Sequence, residues 1–447
     1  MAKFQKAISG VFIAIFIVLL LAISLTDSID RSPIENQRFY INTLAQLDSL
    51  IPDISDGTTW LVGWSKVNAT PEKGASLVGY APRGNYEFVQ DSSFIRSLII
   101  GNGEQNIAFL NYELLIIHPY LAASIREAVN QSKLPVDNLY FTATHTHSGI
   151  GGYIPGLMGK LAFGGFDQEI VDFLTEQTLE GLQRALVEQD TAFINFQIAE
   201  TDTLVYNRFV REDPVDPYVR QLIFQKKDGK RGTFLTFSAH STTLARNFMG
   251  LSGDYPHYLM ENLESQIYDF ALFAAGTVGS HGPNRPGNLP EGTKAYADAL
   301  YQQSLKNVKR LTLVNSNRLS FTLFPIELRN PQYRLGKNVK LKPALFNFAF
   351  GEIKPHFDVV LIGNTLLISS SGEISGVWMA GWEALAKRHG LNLMVTTFNG
   401  SYIGYITPDE YYDYDYHEVS AMNWFGPGNG AYFDTIIQGL IVKNRQY

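Results

Sequence analysis

Three pairs of short apolar runs, each joined across a glycine turn, constrain this chain more than any other feature. The first joins residues 97–100 to 106–110 across Gly101-Asn102-Gly103. The second joins 219–225 to 233–237 across Asp228-Gly229, and the third joins 359–362 to 365–368 across Gly363-Asn364. Strands linked this tightly run antiparallel, which excludes a purely parallel sheet. Between the hairpins the apolar spacing lengthens to that of helices, at 168–188, 258–268, 294–308 and 376–389. Interleaved strands and helices predict an α/β fold: a single domain over 31–447 with a mixed sheet flanked by helices. With 45% hydrophobic residues in 447, the chain is long enough to bury such a core, and no internal repeat points to a solenoid.

Residues 8–25 form a nearly unbroken apolar run, preceded by Lys3 and Lys6 and followed by Asp27, Asp30 and Arg31. Its 18 residues are about the minimum for a spanning helix, so residues 1–30 read as a membrane anchor or a signal segment. The flanking lysines place the rest of the chain outside the cytoplasm. Ala22-Ile23-Ser24 loosely resembles a small-x-small cleavage site, so both readings stay open: an anchored periplasmic or extracellular protein, or a secreted one.

The 36 basic and 43 acidic residues leave a net charge of −7, and no Lys/Arg run tracks a phosphate backbone, so nucleic acid is not an expected partner. Nothing in the sequence sets an oligomeric state. With no cysteine, any metal has to be held by His, Asp, Glu or Tyr. His-Glu-x-x-His, Gly-x-Ser-x-Gly and Gly-x-x-x-x-Gly-Lys are all missing, which removes the main signals of zincins, nucleophile elbows and P-loops. The helical pair His257 and Glu261 reads as a surface pair.

The most informative stretch is the apolar run 139–143 followed by Thr144-His145-Thr146-His147-Ser148-Gly149. Residues two apart on a strand share a face, so both imidazoles can point into one cavity. Alone, such a pair also fits two hydrogen-bonded histidines packed at a strand end. Two further strands end in ligand types, His240 after 233–237 and Glu373 after 365–368. His145, His240 and Glu373 would leave a catalytic zinc one open position for water. Each also has an ordinary reading: a capped strand end for His240, and for Glu373 a carboxylate at a helix N-terminus.

The Thr-His-Thr-His-Ser-Gly segment, with Gly151-Gly152 behind it, resembles the signature of the neutral/alkaline non-lysosomal ceramidase family. Ala69-Thr70-Pro71, Gly79-Tyr80, Arg83-Gly84, Tyr206-Asn207-Arg208, Gly372-Glu373, the block from Tyr402 to Thr407 and Phe425-Gly426-Pro427 are similar to family motifs in the same order. The resemblance implies one Zn²⁺ held by His145, His240, Glu373 and Tyr405, with His147, Arg208 and Tyr416 around the reacting carbonyl. It implies hydrolysis of the N-acyl bond of ceramide or a related lipid amide, giving a fatty acid and a sphingoid-type amine. Glu373 and His147 both remain candidates for the general base. Residues 402–416 contain six tyrosines, and a free phenol has a pKa near ~10, so a tyrosine ligand binds neutrally or with its pKa depressed by the metal.

The departures bear on substrate. Where the family often has Gly-Asp-x-Ser-Pro-Asn, this chain has Gly279-Ser280-His281-Gly282-Pro283-Asn284, and Phe209 follows Asn207-Arg208 in place of the usual serine. The family's C-terminal immunoglobulin-like domain is not expected, because the sequence stops soon after the tyrosine block. These differences keep two other functions in view: a zinc hydrolase of another cell-envelope amide or ester, and an inactive membrane-anchored binding protein. The apolar, glycine-rich stretch 153–166 is expected to line an acyl-chain entrance or touch the bilayer.

Overall fold

The computed structural model describes residue 4, residues 24–80 and residues 83–445. All three predicted hairpins form. Phe94–Gly101 pairs antiparallel with Asn106–Tyr112, Tyr218–Lys226 with Arg231–Phe237, and His356–Ile362 with Thr365–Ser370. Parallel partners join them: Asn138–Ala143 beside Asn106–Tyr112, Phe270–Ala275 beside Arg231–Phe237, and Asn392–Thr397 beside Thr365–Ser370. The mixed pairing is therefore as expected.

The expectation of one sheet is corrected to two main sheets. A nine-stranded sheet runs from Phe270–Ala275 at one end of its strand order to Asn138–Ala143 at the other, and a five-stranded sheet contains the 356–370 hairpin. Strand alternation assigns the faces. In Phe94–Gly101, Leu98 and Ile100 enter the core shared by the sheets, together with Phe109, Phe234, Val360 and Met394, while Ile95 and Ile99 face the helices. Because strands on both sheets are buried on both faces, their sequences read as continuous apolar runs, which hides how many sheets they build.

Helices cover the outer faces. Gln168–Val187 lies across the nine-stranded sheet on a stripe of Val171, Leu174, Thr178, Leu182 and Ala185, and begins where the Asp167 carboxylate accepts from Glu169 N at 3.0 Å. Asp254–Gln266 and Pro290–Lys306 pack together at the other end of that sheet. The predicted helix 294–308 starts earlier and ends earlier, because Pro290 fits a first helical turn and Val308 opens a strand. Met379–Arg388 and Asn429–Lys443 cover the smaller sheet.

The two ends of the nine-stranded order curl toward each other. Phe270–Ala275 contacts Asn138–Ala143, and the Asn111 amide donates to Phe273 O at 2.6 Å. This curl brings together loops that leave opposite ends of the sheet.

The predicted anchor or signal segment, 1–30, lies outside the described residues except for residues 4 and 24–30. Among those described, no helix is long and apolar enough to cross a membrane. Thr26–Ser28 is a strand paired antiparallel with Val339–Leu341.

Phe109 is fully buried between the sheets, against Tyr140 and Phe234 with ring centroids 5.1 and 5.6 Å away. Phe109→Ala should cost about 3–5 kcal/mol, read as a fall in the chemical-denaturation midpoint with unchanged slope.

Candidate metal centre

Strand exits supply the site. His145 and His147 follow Asn138–Ala143, His240 follows Arg231–Phe237, and Glu373 follows Thr365–Ser370. Their ring nitrogens converge. His145 Nε2 lies 2.9 Å from His240 Nε2 and 3.4 Å from His147 Nε2, and the His147 and His240 Nε2 atoms are 3.0 Å apart. Glu373 Oε2 stands 3.2 Å from His145 Nε2 and 3.8 Å from His240 Nε2.

The backbone is bent to achieve this. His145 has φ +62°, a left-handed conformation uncommon for a residue with a side chain, and Phe398, at φ +71°, stacks on its ring at 4.4 Å. Two such residues facing each other mark a place where surrounding structure overrides local preference. His145 N donates to Leu114 O, and its Nδ1 donates to Leu115 O at 2.7 Å. His240 Nδ1 similarly faces Val278 O at 3.4 Å. A carbonyl only accepts, so Nδ1 carries the hydrogen, and in the neutral ring Nε2 carries the lone pair that faces the others.

Burial first, then neighbouring positive groups, hold His147 and His240 well below the usual imidazole range. Burial pushes Glu373 upward, but His145, Tyr402 and Tyr405 outweigh it and hold the carboxyl below its ordinary value. The converging imidazole nitrogens and the carboxylate form a set of donors around one point. With backbone carbonyls fixing the outer nitrogens of His145 and His240, the donor set fits a zinc ion.

The structure places the predicted residues unevenly. His145, His240, Glu373 and Tyr405 come together: Tyr405 pairs with Glu373 across two short parallel strands, and both line one cavity. Burial and Glu373 keep the Tyr405 phenol well above its ordinary pKa, so it stands beside the carboxylate as a neutral donor. His147, expected around the reacting carbonyl, has its Nε2 3.4 and 3.0 Å from those of His145 and His240, which are 2.9 Å from each other, and it is the most exposed of the three. Arg208 lines the cavity, pairs with Glu418 at 2.9 Å and donates to Gly279 O at 3.1 Å. Tyr416 does not join them. Its ring packs on Phe209, its hydroxyl donates to Phe209 O at 3.1 Å, and 41% of it is exposed.

Two groups were not assigned from sequence. Tyr402 donates to Glu373 Oε1 at 2.5 Å, and Arg83 donates to His147 O. Tyr402 lies in the tyrosine block and Arg83 in a Gly-Tyr-x-x-Arg-Gly turn, but neither spacing says which atom it reaches. Gly282 has a packing reason, since a Cβ there would lie 3.0 Å from Arg208 Cγ.

The site opens into a cavity of about 560 Å³. Met158, Phe163 and Tyr402 also line a second cavity of about 460 Å³, which continues past Ile154, Phe348 and Trp424. A cavity with a polar floor thus adjoins an apolar one across those three shared side chains.

Fold and site together define an α/β protein with a histidine–carboxylate centre at converging strand ends. The family model described as neutral/alkaline non-lysosomal ceramidase, N-terminal, matches residues 60–298, more than half of the chain, and the chain belongs to that family. It is 27% identical over 173 residues to the neutral ceramidase of Pseudomonas aeruginosa, covering 34% of this chain and 26% of that protein. It is 26% identical over 175 residues to the neutral ceramidase of Mycobacterium tuberculosis, covering 34% and 28%. The aligned part thus spans about a quarter of the length of these curated relatives. The crystal structure of the Pseudomonas aeruginosa neutral ceramidase superposes with a TM-score of 0.70 at 18% identity, over 87% of this chain and 75% of that one. A ceramidase complexed with C2 gives 0.68 at 17%, over 86% and 75%. These structures share the fold.

His281, whose carbonyl accepts from His240 N, is held neutral to about pH 3, by burial first and Arg208 second. Below about pH 6.5, where a free imidazole titrates, the unfolded chain binds a proton that the folded chain refuses. Its contribution to stability is therefore whole above that pH and declines with acidification. Urea midpoints should fall between about pH 7 and about pH 5, and His281→Asn should make that fall shallower.

Proposed function

We propose that this chain hydrolyses the N-acyl bond of ceramide or a related lipid amide at a single zinc ion, releasing a fatty acid and a sphingoid-type amine. The observation that carries this reading is the convergence of three imidazole nitrogens and a carboxylate at the floor of a cavity that adjoins an apolar one. Family membership supports the substrate class, and the apolar run 8–25 supports a site on the outer side of a membrane.

His145, His240 and Glu373 hold the ion, with Tyr405 beside them. Bound zinc supplies a Lewis acid and brings the pKa of a water toward neutrality. His147 takes the proton of the attacking water: it is neutral and open to the cavity, whereas Tyr402 occupies one oxygen of Glu373 and His145 faces the other. Arg208, fixed by Glu418 and Gly279 O, meets the negative charge that develops on the amide oxygen. A fixed donor of this kind contributes about 2.7–4 kcal/mol. Tyr416, engaged with Phe209 O, is not needed for that task.

The purified protein should contain about one zinc per chain and turn over a fluorescent ceramide, losing activity on chelation and regaining it with zinc. His145→Ala should abolish both metal retention and turnover. A zinc-loaded protein inert toward every lipid amide would overturn the reading.

Stretch 153–166, whose 156–162 segment is a short helix, lines both cavities through Met158 and Phe163. Met158→Ser with Phe163→Ser should lower kcat/KM for long-chain amides by about tenfold or more, from lost burial of apolar surface, and leave short-chain amides nearly unchanged. Equal losses on both would count against an acyl channel here.

A further inference from the structure

A second cluster of titratable side chains lies behind the centre. Asp91, Glu113 and His257 bring one donor atom each within 4.8 Å of one another. His257 corrects the sequence expectation of a surface pair with Glu261, because its side chain is 2% exposed. Its Nδ1 is 3.1 Å from Glu113 Oε2 and 3.7 Å from Asp91 Oδ1, and its Nε2 is 3.3 Å from Glu261 Oε1. With both nitrogens facing carboxylates, the ring is an imidazolium with no lone pair to offer a metal. Burial opposes that charge, but Glu113, Glu261 and Asp91 prevail and raise its pKa to about 10.

What these carboxylates hold is the backbone that aims the metal ligands. Asp91 accepts from Ser252 Oγ at 2.6 Å and from Gly253 N at 2.7 Å. Ser252 N in turn donates to Ser148 O at 2.9 Å, and Ser252 O accepts from Thr146 Oγ1 at 2.7 Å, on either side of His147. Glu113 immediately precedes Leu114 and Leu115, whose carbonyls accept from His145 N and Nδ1. Glu113 also packs under residue 253: a Cβ on Gly253 would fall 2.6 Å from Glu113 Oε2. His257 therefore joins two separate clamps, one on His147 through Asp91 and one on His145 through Glu113. Arg96, 3.9 Å from Glu113 and 3.6 Å from Glu264, completes the buried charge balance.

We propose that His257 is a positioning residue of the metal centre: by bridging Asp91 and Glu113 it fixes the backbone that carries the ligand His145 and the base His147, without touching metal or substrate. This rests on the zinc reading above. Removing an outer support of this kind typically weakens metal binding about 10–100-fold.

The test is zinc affinity by chelator competition on folded protein, with thermal unfolding measured alongside. His257→Gln should raise the zinc Kd about 10–100-fold and lower kcat with KM for a short-chain amide unchanged. His257→Lys, which keeps a cation between the carboxylates, should recover part of both. Ser252→Ala leaves the charges in place and cuts one link to the loop, so it should shift zinc affinity in the same direction by less, and it serves if His257→Gln does not fold. Wild-type zinc affinity in His257→Gln or, failing that variant, in Ser252→Ala overturns the proposal. So does a second zinc that survives His145→Ala with His240→Ala, which would make the cluster a ligand set. No zinc binding by the wild-type chain overturns the zinc reading itself, and this proposal with it.

Discussion

Everything at this site depends on lone pairs forced toward one point. Imidazole nitrogens about 3 Å apart, facing a carboxylate, form a donor set that fits a cation. The cost is visible in the backbone, where His145 and Phe398 both take left-handed conformations and stack on each other. It is visible also in the outer nitrogens of His145 and His240, which are turned to main-chain carbonyls that leave the inner ones free.

The scaffold meets that demand by stiffness. The candidate ligands sit just past the ends of strands that are buried on both faces, so the loops are short and their starting points fixed. The curl of the larger sheet then brings exits from opposite ends of its strand order into contact. Behind them a buried network of Asp91, Glu113, Arg96 and His257 links the loops to one another, so that the two histidines of the 144–149 segment are held from separate directions. Buried charge of this density adds little stability for its desolvation cost, and a geometric role is the better account of it.

The cavity shows the same division of labour. Its floor is polar, built from Arg208, Glu418, His145, His240 and Glu373, while the second cavity that shares Met158 and Phe163 with it is apolar. Gly282, where the family commonly has serine, lets the Arg208 side chain lie close against the main chain.

The sequence by itself determined the hairpins, the mixed strand directions and which strand ends carry His145, His147, His240 and Glu373, because strand alternation, glycine turns and helix spacing are local properties of neighbouring residues. It also carried the family, through a short motif and an ordered series of weaker ones. Only the tertiary structure decided that two sheets share the core, that His147 lies against the rings of His145 and His240, that Tyr416 turns away, and that His257 is a buried cation. Each of those depends on contacts between residues far apart in the chain, where curvature of a sheet and competition for burial set the distances. No local pattern encodes a distance of that kind.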